Sequence, residues 1–259
     1  MPEQNSPSVE TDLIPPPTEM LHDGASSPEQ FVQLGAGFCQ YFLIQRARLQ
    51  PSAAFLDLGC GNGAVARALT TYLSPSGRYE GLDIRAATVA WLQKHYARYA
   101  NFRFLHADIY NKNYNPAGRI PGREYSLPCA DTSFDMVLLK SVFTHMVPDD
   151  VRCYMSEISR VLKPGGCSVI TFFLLNNESR RVVSIFGRDT IKLAHDYEGD
   201  PLCRVANPEI PEQAVGHDEH RIREFYAEVG LGPIELAYGD WCGRRALHGL
   251  QDVVIALKE

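Results

Sequence analysis

The chain has 259 residues, of which 45% are hydrophobic and 22% charged, with a formal net charge of −6. That supplies one sizeable core and argues against a nucleic-acid binder working by bulk electrostatics, while no apolar run is long enough to cross a membrane. Seven scattered cysteines without a C-x-x-C pair read as free thiols in a reducing compartment, so a cytoplasmic location is expected.

Residues 1–29 are rich in proline, serine and acids, include Pro15-Pro16-Pro17, and lack the basic start and apolar centre of a signal peptide. They read as a disordered tail, leaving 30–259 as one domain. From Gln30 to Leu49, Phe31, Leu34, Phe38 and Phe42 recur near helical spacing, which predicts an introductory helix. Strands are expected near 53–58, 79–83, 102–107, 135–139 and 168–174, alternating with helices near 64–73, 86–99 and 149–162. Such alternation implies an α/β fold, a parallel sheet with helices on both faces. A helix capped by Asp218 and stopped by Gly230 then precedes two strands near 231–238 and 250–257. Two long connections, 110–133 and 176–217, read as irregular, and the second, which carries Arg180, Arg181 and Arg188, reads as a lid-like insertion.

The most informative stretch runs from Phe55 to Arg67. An apolar run ends in three alternating glycines, Gly59, Gly61 and Gly63, and a helix-forming segment follows at once. Glycine tolerates positive φ and lets a ligand approach the backbone. Asp57 closes the strand, and Asp83 ends the next strand about twenty residues beyond the glycines, where an acid accepts hydrogen bonds from ribose hydroxyls. The spacing is G-x-G-x-G rather than the G-x-G-x-x-G that admits a pyrophosphate. An acid beside the loop suits a cationic, phosphate-free cofactor better than a nicotinamide dinucleotide.

The block Asp57-Leu-Gly-Cys-Gly-Asn-Gly63 resembles the signature of class I S-adenosylmethionine-dependent methyltransferases. The segments Phe102 to Ile109, Leu127 to Asp135 and Ile158 to Gly166 resemble later parts of the same family in chain order. The resemblance implies a Rossmann-like fold with a seven-stranded, mostly parallel sheet and an antiparallel last strand. It implies S-adenosylmethionine as cofactor, contacted by Asp57, Gly59, Cys60, Gly61, Gly63, Asp83, Ile84, Asp108, Ile109 and Lys140. Within that set Asp83 would hold the ribose and Asp108 the adenine.

Methyl transfer is an in-line displacement, so alignment is the main task and a base is needed only where the acceptor holds its proton tightly. His145, just beyond the fourth strand, is the first candidate base, set against a purely structural role. His217 and His220 are weaker candidates; their spacing invites a metal reading, but Asp218 between them fits a helix cap better, and no metal is expected. Trp241, Arg244 and Arg245 are candidate acceptor contacts, set against a turn that buries the indole and solvates the arginines. Cys60 has no histidine placed to activate it. The expected partner is a small-molecule acceptor, with hydroxyl methylation of a sugar or natural product preferred. Nitrogen, protein or nucleic-acid methylation, a silent methyltransferase-like binder and a nicotinamide-dependent oxidoreductase are the alternatives.

Overall fold

A computed structural model describes residues 13–16, 19, 24–186, 191–247 and 249–259. Most of the expected tail therefore lies outside the described residues, as does Arg188. Within the tail, Leu13 and Ala25 are fully buried. Helix α1 (Pro28–Phe38) starts at Ser27, whose side chain accepts from the Gln30 N–H, with Pro28 at its first turn. The chain then widens into a π-type segment, Cys39–Arg46, instead of the single predicted helix.

Six parallel or near-central elements follow the predicted alternation. They are β1 (Ala54–Leu58), α2 (Ala64–Leu69), β2 (Arg78–Asp83), α3 (Ala86–His95), β3 (Phe102–His106) and β4 (Phe134–Leu139). Helix α4 (Pro148–Val161) leads into β5 (Leu162–Phe172). β1 is buried along its whole length, as a strand covered on both faces must be.

Among its described residues, the stretch 176–217 is not irregular. β6 (Leu174–Leu175), α5 (Asn177–Phe186), β7 (His195–Tyr197), β8 (Asp200–Val205) and β9 (Val215–Asp218) form a helix and a separate four-stranded sheet, ordered β6-β9-β8-β7. Strands this short and partly exposed carry too few alternations to show a period in sequence. Helix α6 (Glu219–Glu228) is capped as expected: the Asp218 carboxylate accepts from the His220 and Arg221 N–H groups. Gly230, with φ +68°, ends that turn of chain.

The closing hairpin, β10 (Leu231–Ala237) and β11 (Asp252–Lys258), is antiparallel, and β11 also runs antiparallel to β5. The main sheet has seven strands in the order β10-β11-β5-β4-β1-β2-β3. Its sequence reverses direction beside β1, so the β1 and β4 turns open a crevice at the carboxyl edge, where sheets of this kind bind ligands. One core packs the sheet against α4 and α6, with Phe143, Ile158 and Tyr226 at its centre. A second packs it against α2, α3 and the π-type segment, through Leu43, Leu69 and Leu92.

Candidate active site

The crevice opens into a cavity of about 880 Å³. Its floor is the glycine turn after β1. Gly59, Gly61 and Gly63 all have φ between +55° and +86°, a backbone region that a Cβ penalises. Space demands glycine too: a Cβ on Gly59 would lie 2.4 Å from Val142 Cγ2, and one on Gly63 2.7 Å from a Leu92 methyl. The Gly59 and Cys60 N–H groups both donate to the Leu82 carbonyl, at 2.7 and 3.0 Å.

Asp83 ties the turn to the next one. Its carboxylate accepts from Gly61 N–H and Arg85 N–H, each at 2.9 Å, and it is 7% exposed. Asp57 is 2% exposed and accepts from the Tyr79 hydroxyl at 2.6 Å. Ile84 and Ile109 line the cavity beside them, and Lys140 lines it from β4, its ammonium 5.9 Å from the Phe38 ring centroid. Three left-handed glycines, two buried carboxylates and an apolar slot fit S-adenosylmethionine, whose cationic end carries no phosphate to be repelled. Ser141, which sequence reading missed, has φ +60°, a strained value for a non-glycine residue. Its N–H donates to Thr171 Oγ1 at 2.7 Å and its hydroxyl to Gln251 Oε1 at 3.0 Å, bonds that hold the bend.

His145 is the one histidine that lines the cavity among the described residues. It ends a single 3-10 turn, Phe143–His145. Its Nδ1 lies 2.9 Å from the Glu212 carbonyl, which can only accept, so Nδ1 carries the proton. Nε2 then accepts from the Tyr114 hydroxyl, 3.4 Å away. Burial holds the imidazole below its ordinary pKa, against the opposing effect of the bond to Glu212. The ring is therefore neutral at pH 7. Asn111 Nδ2 donates to the His145 carbonyl at 3.1 Å and fixes the turn from the 110–133 connection.

The other expected contacts lie elsewhere. Asp108 pairs with Arg119 and does not line the cavity, although its neighbour Ile109 does. Trp241 is 1% exposed and sits in the core, its indole N–H donating to Asp252 at 2.8 Å. Arg244 is buried between Cys242 Sγ, the Tyr238 ring and Glu178, and Arg245 is exposed outside the cavity. The hairpin thus takes the alternative read for it at Trp241: the Asp252 carboxylate, which also accepts from Leu174 and Gly239 N–H groups, draws the indole inward. His217 is fully buried and donates from Nε2 to the Phe143 carbonyl at 3.1 Å. His220 is exposed beside Glu224. No cluster of histidine, cysteine and acids able to hold a metal occurs among the described residues. Tyr114 and Asn111 were absent from the sequence-based site, because only the fold brings their connection to His145.

Residues 56–170 match the family described as a methyltransferase domain. That stretch carries a methyltransferase domain, and the fold around it is similar to an S-adenosylmethionine-dependent methyltransferase of Methanosarcina mazei, with a TM-score of 0.56 at 20% identity over 84% of this chain and 97% of the other. Phthiotriol/phenolphthiotriol dimycocerosates methyltransferase 1 of Mycobacterium ulcerans is 29% identical over 62% of this chain and 48% of its own length. The chain therefore spans less than half of that relative. A demethylmenaquinone methyltransferase of Halalkalibacterium halodurans is 26% identical over 74% of this chain and 73% of the relative. In fold, the chain is similar to 1,6-didemethyltoxoflavin-N1-methyltransferase of Burkholderia thailandensis, solved with its substrate and S-adenosylhomocysteine. That match has a TM-score of 0.53 at 18% identity and covers 100% of this chain and 92% of the other.

Proposed function

We propose that this protein methylates a hydroxyl of a small molecule, of the sugar or natural-product kind, with S-adenosylmethionine as donor. The observation that carries the proposal is His145: a neutral imidazole of fixed tautomer on the cavity wall, its Nε2 accepting from the hydroxyl of Tyr114, which also lines the cavity. Relatives named for dimycocerosate and menaquinone acceptors support a small-molecule substrate. Bound S-adenosylmethionine supplies an electrophilic methyl group on a sulfonium. Asp57 and Asp83 would hold the cationic donor and its ribose, and the walls would align the acceptor oxygen. His145 Nε2 takes the hydroxyl proton, while the Glu212 carbonyl, accepting from Nδ1, stabilises the imidazolium. This base works above its lowered pKa, so activity should persist at neutral pH and fall as pH drops below the ordinary histidine range.

The test is incubation with isotopically labelled S-adenosylmethionine and a panel of hydroxylated and aminated acceptors, read by mass spectrometry. A methyl ether as product supports the proposal. Methylation confined to nitrogen would overturn the hydroxyl assignment. Stabilisation by a nicotinamide dinucleotide, with none by S-adenosylhomocysteine, would overturn the cofactor.

A further inference from the structure

We infer that the acceptor carries a hydrocarbon chain, which lies along a largely apolar wall formed by α1 with its π-type extension and the β10–β11 connection. The inference rests on the cavity being the acceptor site. Leu34, Gly37, Phe38 and Tyr41 line the cavity from the first segment, and Leu247, Gly249 and Leu250 from the second. Among the described residues, those that line the cavity from these two segments, Gln33 and Gln251 included, are uncharged, and the Lys140 ammonium lies 5.9 Å from the Phe38 ring; Asp57, Asp83, Arg85 and Asp150 line the cavity from other segments. Leu34, Phe38, Leu247 and Leu250 make this the more apolar half of the lining.

The apolar half reaches solvent. Among the described residues, six large hydrophobic side chains are exposed: Leu34 at 41%, Tyr110 at 43%, Leu202 at 39%, Leu247 at 92%, Leu250 at 41% and Leu257 at 43%. Four of these, Leu34, Tyr110, Leu247 and Leu250, line this cavity. Exposed apolar residues scattered singly carry no message, but a set gathered at the mouth of one cavity marks a binding surface. A compact polar acceptor would leave Leu247 and Leu250 in water. An alkyl or isoprenoid chain would cover them while its hydroxylated head faced His145.

Gly37 gives the chain room. It lies inside α1, where glycine weakens a helix, yet a Cβ there would meet nothing within 4 Å. Gly249, across the mouth, is equally open, at φ +108°. Both glycines are exposed and line the cavity, so a side chain at either position would meet no protein atom.

The experiment is calorimetric titration of the protein, saturated with S-adenosylhomocysteine, with 1-alkanols from butan-1-ol to dodecan-1-ol. Affinity should rise with chain length, up to about fourfold for each methylene fully buried. Gly37→Leu should fill the open space and remove that rise. Leu247→Ser combined with Leu250→Ser, on an exposed connection where folding is not at stake, should weaken dodecan-1-ol binding severalfold. S-adenosylhomocysteine affinity should stay unchanged in both variants. Absence of dodecan-1-ol binding, affinity independent of chain length, or an unaltered rise in both variants would overturn the inference. Co-sedimentation with phosphatidylcholine vesicles, lost in the Leu247/Leu250 variant, would also overturn it by making the rim a lipid-surface contact. Failure of S-adenosylhomocysteine to bind would instead remove the proposed function, and the alkanol series on the unliganded protein would still decide the chain.

Discussion

The floor of the cavity and its His145 wall are built by opposite means. The floor comes from two successive strand–helix turns: Gly59 and Cys60 bond to Leu82, and Asp83 holds Gly61 and Arg85. Two of its bonds run from N–H groups to the Leu82 carbonyl and two to the Asp83 carboxylate. The wall comes from segments far apart in the chain. His145 bonds to Glu212, Asn111 bonds to His145, and His217 reaches from the small sheet to Phe143. These are neutral bonds, each worth about 0.5–1.5 kcal/mol. The floor can therefore form with the Rossmann-like core alone, whereas the wall needs the inserted sheet to be docked. A protein built this way can keep its cofactor site while its acceptor side is altered.

The largest expected effect falls on the wall. His145→Ala should lower turnover about a hundredfold or more, with S-adenosylhomocysteine affinity changed by less than about twofold. Surviving turnover would reduce the imidazole to a packing role and erase the functional half of the contrast. Next comes the floor. Asp83→Ala should weaken S-adenosylhomocysteine binding by roughly ten- to a hundredfold, as removal of charge-assisted bonds predicts. Calorimetry that found unchanged affinity would show that the floor does not depend on that carboxylate.

His217→Ala should cost about 1–3 kcal/mol in stability, because it leaves the buried Phe143 carbonyl unpaired, and it should lower kcat more than cofactor affinity. The pH dependence sharpens this. Burial pushes the His217 imidazole from 6.5 down to about 4, so its contribution is full above pH 6.5 and is lost as pH falls through that window. The variant should show a flatter melting-temperature profile across it; an unchanged acid limb would mean that other groups set it. The smallest effect is expected at Asp108→Ala. Its partner Arg119 is 85% exposed, and such a surface pair contributes little to stability. Loss of cofactor affinity by tenfold or more would show that the carboxylate turns from Arg119 to the adenine when the cofactor is bound.

The sequence by itself determined the alternating core, the glycine turn, the acid at Asp83 and the Asp218 cap. Each depends on neighbours in the chain: strand and helix periods, positive φ at glycine, and a side chain bonding to N–H groups within three residues. Tertiary structure decided the rest. The small sheet was illegible because β6 and β7 have only two and three residues and gain their bonds from pairing with distant strands. Whether Trp241 faced an acceptor or the core was settled by Asp252, eleven residues away on the other arm of the hairpin. The state of His145 was settled by Glu212, sixty-seven residues away. A carbonyl that fixes a tautomer leaves no mark on the residues beside it in sequence, and its effect exists only once chain closure has brought the two segments together.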